Sequence, residues 1–177
     1  MTTFSFGERS RRNLTQVHPD MVKVLMLAIK STPVDIGVLD MGGFRSEEQQ
    51  QALYAQGRDG HPGPIVTQKN GSPGHESNHQ AHADGFGHAV DVVPFMHGSP
   101  TWNWEYIFKV MPVIGAAARS LDVSLRWGGV WDRLMEELDL DDLPGEMLAY
   151  QKRHAGPDLL DGPHVEYMGK IKKEVKK

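Results

Sequence analysis

The chain has 177 residues, 39% of them hydrophobic and 24% charged, which is ordinary globular composition and enough length for one well-buried core. A net charge of −4 and a pI near 6.1 exclude a general nucleic-acid binder, because phosphate contacts require a basic surplus. Cysteine is absent, which excludes disulfides, thiolate zinc sites and thiol nucleophiles, so any metal falls to the nine histidines and the carboxylates.

The first dozen or so residues are polar and carry Arg9, Arg11 and Arg12 without the apolar stretch of a secretory signal. The longest uncharged apolar stretch, 110–118, contains Pro112 and falls far short of the ~20 residues of a membrane span. A soluble product made in the cytoplasm is expected. Met21, Val22, Val24, Leu25, Ala28 and Ile29 recur at helical spacing after Pro19 and Asp20, which predicts a helix over 19–31 ended by Pro33. A short strand over 34–39 follows. Ser46 and Gln49 have the spacing of a capping box and open a second helix running to about residue 56, closed by Gly57.

Residues 58–84 are dense in glycine, proline, histidine and asparagine, a loop of the length that is either disordered or functional. Beyond it the pattern predicts a strand over 89–95, a mostly apolar helix over 102–121, a strand over 123–127 ending in Gly128-Gly129, and a last strand over 164–167. Residues 135–154 read as an acidic surface excursion with a short helix, and 170–177 as a basic, solubilising tail. Asp139, Asp141 and Asp142 lack the regular spacing of a calcium loop and read as a solvated face. Helices and strands alternate without βαβ regularity, so the expectation is a single α+β domain over 1–177, with a small antiparallel sheet flanked by helices.

Three segments stand out in order: Gly43-Phe44-Arg45-Ser46, then Ser77-Asn78-His79 leading into Gly87-His88-Ala89-Val90-Asp91, and finally Asp161-Gly162-Pro163-His164. Together they resemble the zinc peptidases of the D-alanyl-D-alanine carboxypeptidase type, with their G-[YF]-R-S turn, S-x-H…G-x-A-x-D metal motif and late D-x-P-H. Phe6-Gly7-Glu8-Arg9-Ser10, Val17-His18-Pro19-Asp20 and Val66-Thr67 are similar, within that group, to phage endolysins that act as L-alanyl-D-glutamate peptidases.

That resemblance implies one zinc ion at the sheet face, held by His79, Asp91 and His164, with an open fourth position for water. It implies Asp161 as general base and Arg45 as the charge that stabilises the oxyanion. Ser77 is expected to hold substrate backbone or a ligand, and Trp127 to pack beside the metal and contact substrate. Asp91 also invites this reading on its own, since a carboxylate in the apolar run Ala89-Val90-Asp91-Val92-Val93 is costly without a partner or a cation.

The sequence departs from the family's compact motif, in which histidine precedes aspartate by seven residues. Position 84 is Asp84, and His79 lies twelve residues before Asp91, so Gln80 to Asp84 form a five-residue insertion. His82 is therefore a rival ligand, with His79 preferred because it keeps the S-x-H pattern. His75, His88 and His97 read as solvent-facing loop histidines. Glu166 is a rival base, since strand alternation puts it on the face of His164, and Arg45 has a structural alternative in an ion pair with Glu48 or Asp40.

The implied activity is hydrolysis of the L-alanyl-D-glutamate bond of peptidoglycan by a monomeric phage lysis enzyme that binds no nucleic acid and inserts into no membrane. It would be made in the host cytoplasm and released to the wall through a separate pore protein. The rivals are a D-alanyl-D-alanine carboxypeptidase and a zinc-stabilised wall-binding module that has lost catalysis.

Overall fold

The computed structural model describes residues 3–154 and 160–171. Helices α1 (Glu8–Asn13), α2 (Pro19–Ala28), α3 (Glu47–Ala55), α4 (Trp104–Ser120) and α5 (Leu143–Arg153) surround two antiparallel sheets. The strands are β1 (Asp35–Gly37), β2 (Ala89–Asp91), β3 (Val93–Met96), β4 (Ser99–Pro100), β5 (Val123–Trp127), β6 (Val130–Leu134) and β7 (His164–Lys170). One sheet has the order β1-β3-β4 and the other β2-β7-β5-β6, so the fold is α+β with small antiparallel sheets flanked by helices.

The helical stripe of α2 buries Met21, Val24, Leu25 and Ala28, and α4 buries Ile107, Val110, Met111 and Ile114. These stripes meet each other and the inner face of the larger sheet, where Val90, Leu125, Trp127 and Val165 are fully buried. Each such side chain contributes roughly 1.5–3 kcal/mol of hydrophobic stabilisation. Helix α2 stops at Ala28, ahead of the expected boundary, and residues 29–31 continue as turns. Helix α4 runs through Pro112. The capping box of α3 is formed in full: Ser46 Oγ accepts from Gln49 N–H, and Gln49 Oε1 accepts from Ser46 N–H.

The expected strand over 89–95 is divided. Val92 N–H leaves both ladders to donate to Pro163 O at 2.9 Å, so β2 joins β7 while β3 crosses to β1. The period-2 alternation that would put Ala89 and Val93 on the face of Asp91 therefore ends at Asp91 itself. A further strand, β6, follows the tight Gly128-Gly129 turn, and α1 precedes α2; neither appeared in the sequence pattern. The acidic segment is no mere surface excursion, because Met135, Leu138, Leu143 and Tyr150 are buried in the core. Asp142 caps α5 through Gly145 N–H, and among the described residues no three carboxylates of the run converge on a cation-sized point. Lys170 pairs with Asp20, whereas tail residues 172–177 lie outside the described residues.

Candidate metal centre

Strand register builds the first half of the site. Asp91 ends β2 directly opposite His164, the first residue of β7, and directly opposed side chains on one face are nearest neighbours. His164 Nδ1 lies 2.9 Å from Asp91 Oδ1. His79 arrives from the long loop, buried, with Nε2 at 3.3 Å from His164 Nδ1 and 3.4 Å from Asp91 Oδ1. The loop backbone is seated tightly: Arg45 N–H donates to His79 O at 2.9 Å, and a Cβ on Gly87 would come within 2.6 Å of that same oxygen.

Each donor is turned inward by a partner on its other side. His79 Nδ1 is 2.7 Å from Gly43 O, which puts the ring proton there and leaves the Nε2 lone pair free. His164 Nε2 faces Glu166 Oε1 at 3.2 Å, which leaves Nδ1 toward Asp91. Glu166 is itself buried and held by Arg126 Nε and Nη2 at 2.8 and 2.5 Å and by Asn78 Nδ2 at 2.5 Å. The second oxygen of Asp91 accepts from Arg45 Nη2 at 2.7 Å, leaving Oδ1 for the shared point. Arg45 Nε donates to Met41 O at 2.5 Å and Nη1 to Gln50 Oε1 at 3.3 Å.

The electrostatics follow from this packing. Burial lowers the His79 pKa from its ordinary value, against the pull of Asp91. Burial also opposes charge on His164, but hydrogen bonds to Asp91 and Glu166 push it up to about 10. Asp91 is held well below the usual carboxylate range because His79 and His164 outweigh its burial. Glu166, despite burial, is drawn down to about 2 by His164, Arg126 and Asn78. Asp161 goes the other way, raised to about 6 by burial and by the charge of Asp91.

Two imidazole nitrogens and a carboxylate oxygen converging within 4.8 Å of one another, each backed by an outer hydrogen bond, form a donor set suited to zinc. His82 is elsewhere, stacked on His88 with ring centroids 3.9 Å apart. Asp40 pairs with Arg9, leaving Arg45 to Asp91. The centre opens on a cavity of about 850 Å³ lined by Arg45, Ser77, His79, Asp91, Asp161 and His164, with Trp131 on its wall. Trp127 does not reach it: the indole is fully buried and donates from Nε1 to Gly162 O at 2.7 Å, bracing the turn between Asp161 and His164 from behind.

The sequence matches the phage L-alanyl-D-glutamate peptidase family over residues 2–168. The chain belongs to that family. The L-alanyl-D-glutamate peptidase of Escherichia phage T5 is 27% identical to this peptidase over 131 residues, covering 73% of this chain and 83% of the phage protein. The crystal structure of the Serratia marcescens L-Ala D-Glu endopeptidase ChiX superposes with a TM-score of 0.59 at 27% identity, over 93% of this peptidase and 90% of that chain.

Sequence reasoning missed Asn78, Arg126, Gln50 and Trp131. Arg126 carried no signal in the sequence: it stands directly opposite Glu166 between β5 and β7, and that register is a tertiary fact. Gln50 is buried in α3 and joins Arg45 to the long loop through Thr67 Oγ1 and Lys69 O, at 3.2 and 2.8 Å. The loop thereby becomes a wall of the cavity, with Val66 to Lys69 and Glu76 to His79 lining it.

Proposed function

We propose that this peptidase hydrolyses the bond between L-alanine and D-glutamate in the peptide stems of bacterial peptidoglycan, with one zinc ion held by His79, Asp91 and His164. The observation that carries the reading is the convergence of these three donors with Asp161 on one large cavity, in a chain of the phage L-alanyl-D-glutamate peptidase family. A bound zinc ion supplies Lewis acidity and makes water nucleophilic near neutral pH.

The chain's own residues then divide the work. Asp161 accepts a proton from the attacking water as the water oxygen bonds to the carbonyl carbon, and passes it to the departing amine as the C–N bond breaks. Its placement supports this role, because its backbone is fixed at both neighbours: Asp161 N–H donates to Gly128 O at 2.9 Å, and His164 N–H to Asp161 O at 3.1 Å. Arg45 holds Asp91 and sets a permanent positive charge beside the cavity, where the carbonyl oxygen becomes negative. Ser77 offers a hydroxyl on the cavity wall for the substrate backbone. Trp127 acts from behind by holding Gly162, and Trp131 takes the wall position facing the stem peptide.

Among the described residues no helix is long and apolar enough to cross a membrane. The reading includes a monomer made in the host cytoplasm that meets the wall after release through a separate pore protein. Digestion of purified peptidoglycan with and without a chelator, followed by mass spectrometry of the new termini, tests it. Expected are L-alanine carboxyl ends and D-glutamate amino ends, absent in the chelated arm. Release of free D-alanine instead would make the protein a carboxypeptidase, and no release in either arm would leave a binding module.

A further inference from the structure

Outside the centre just described, the structure gathers a second set of metal-type donors. His18, Asp84 and His88 each bring one ligand atom to within 4.8 Å of the others. His88 Nε2 is 2.8 Å from Asp84 Oδ2, and His18 Nε2 is 3.8 Å from the same oxygen. The three come from separate places: His18 from the start of α2, Asp84 from the end of the five-residue insertion, and His88 from the entry to β2.

Their backbones are already tied together. His18 N–H donates to Gly87 O and Gly87 N–H to Gln16 O, both at 2.9 Å. The insertion is closed on itself by His82 N–H to Phe86 O and Gly85 N–H to His82 O, both at 2.9 Å, and Phe86 N–H donates to Asp84 Oδ1 at 3.1 Å. The His18 ring is stacked on Tyr167 at 3.7 Å and the His88 ring on His82 at 3.9 Å, so both imidazoles are oriented before any ion arrives.

We propose that His18, Asp84 and His88 form a second, peripheral binding site for a divalent transition metal of the zinc class. Two imidazoles and one carboxylate select such an ion over calcium or magnesium, which prefer all-oxygen shells. Asp84 Oδ1 stays with Phe86 N–H, and Oδ2 is the ligand. His88 Nε2 now donates to Asp84 Oδ2 at 2.8 Å, so on occupancy its proton moves to Nδ1, and His18 must change tautomer too. Its Nδ1 now accepts the N–H of Asp20 at 3.2 Å, which puts the ring proton on Nε2; occupancy frees Nε2 for the metal, moves the proton to Nδ1 and releases that N-cap bond. In exchange the ion clamps α2, the insertion and β2 to one point. Because His88 N–H donates to Asn78 O at 2.7 Å, the clamp also steadies the segment that carries His79.

The test uses the full chain, stripped by chelator and titrated with Zn²⁺, with bound metal counted after desalting. Wild type is expected to hold two ions, and Asp84→Asn and His79→Ala one each. Asp84→Asn keeps the Oδ1 acceptor for Phe86 N–H, so the turn survives. In the His79→Ala background, Zn²⁺ should raise the melting temperature, and ¹⁵N NMR should show the His18 proton pass from Nε2 to Nδ1. A single ion in wild type that Asp84→Asn retains overturns the second site, as does a second ion that survives Asp84→Asn. One ion lost in Asp84→Asn but kept in His79→Ala would uphold this site and refute the His79 centre.

Discussion

Asp161, Arg45 and Glu166 surround the same three donors and do separable things to them. Replacing Asp161 by Asn removes the proposed proton acceptor while keeping shape, so metal content and melting temperature should hold while activity falls about a hundredfold to ten-thousandfold. Near-normal turnover would remove Asp161 from the proton path; Glu166 is a poor substitute, since Arg126, Asn78 and His164 already occupy its oxygens. Arg45→Lys keeps charge but loses the fork that reaches Met41 O, Gln50 and Asp91 together. At saturating zinc, kcat and kcat/KM should fall together with KM little changed; normal turnover of the loaded variant would reduce Arg45 to holding Asp91. Glu166→Gln trades a carboxylate for an amide opposite His164, and zinc affinity measured by competition with a chelator should weaken about 10- to 100-fold. An unchanged affinity would mean that Glu166 serves only to neutralise Arg126.

At the scale of elements, the site depends on where chain segments are made to stop. Helix α3 begins at the Ser46 capping box, immediately after Arg45, so the cap fixes the backbone that aims the guanidinium. Ser46→Ala should cost about 1 kcal/mol of stability by urea unfolding. If the cap matters to function, it should also lower zinc affinity through Arg45 and Asp91; a stability loss with affinity intact would confine it to the helix. The break at Val92 is the second such stop. Because Val92 N–H is spent on Pro163 O, the end of β2 is tied to the turn between Asp161 and His164, and Asp91, the proposed metal ligand, sits at the junction of two sheets. Trp127 reinforces the same turn from the core side, by its bond to Gly162.

On the whole-molecule scale, Asp20 links the first turn of α2 to the end of β7 through Lys170 Nζ at 2.8 Å, and bonds Lys23 Nζ at 2.9 Å. Hydrogen bonds from Lys170 and Lys23 hold its carboxyl down to about 2 from an ordinary 3.8. A depressed folded pKa stabilises above the unfolded value and is lost as pH falls toward the folded one, so this contribution should fade between about pH 4 and about pH 2. Both lysines are more than half exposed, which limits it to below about 1 kcal/mol. Asp20→Asn should therefore be slightly less stable than wild type near neutral pH, with urea midpoints converging as the pH drops through that window. A constant gap across it would assign the loss to the helix N-terminus instead of the ion pairs.

The sequence by itself determined what is written locally. The apolar stripes of α2 and α4, the capping box of α3 and the strand over 123–127 are each carried by residues within a few positions of one another, and the three motif segments are legible one by one and in their order along the chain. Only the tertiary structure decided which distant groups meet. Asp91 and His164 are 73 residues apart and His79 and His164 are 85 apart, and their contact depends on the register of β2 against β7 and on the seating of the loop. The same holds for the pairing of Arg45 with Asp91 in place of Glu48 or Asp40, for His79 against His82, and for Trp131 in place of Trp127 on the cavity wall. Helical and strand periodicities fix which face a side chain takes, whereas a site assembled across sheet, loop and turn needs the long-range hydrogen bonds and packing that only the folded chain supplies.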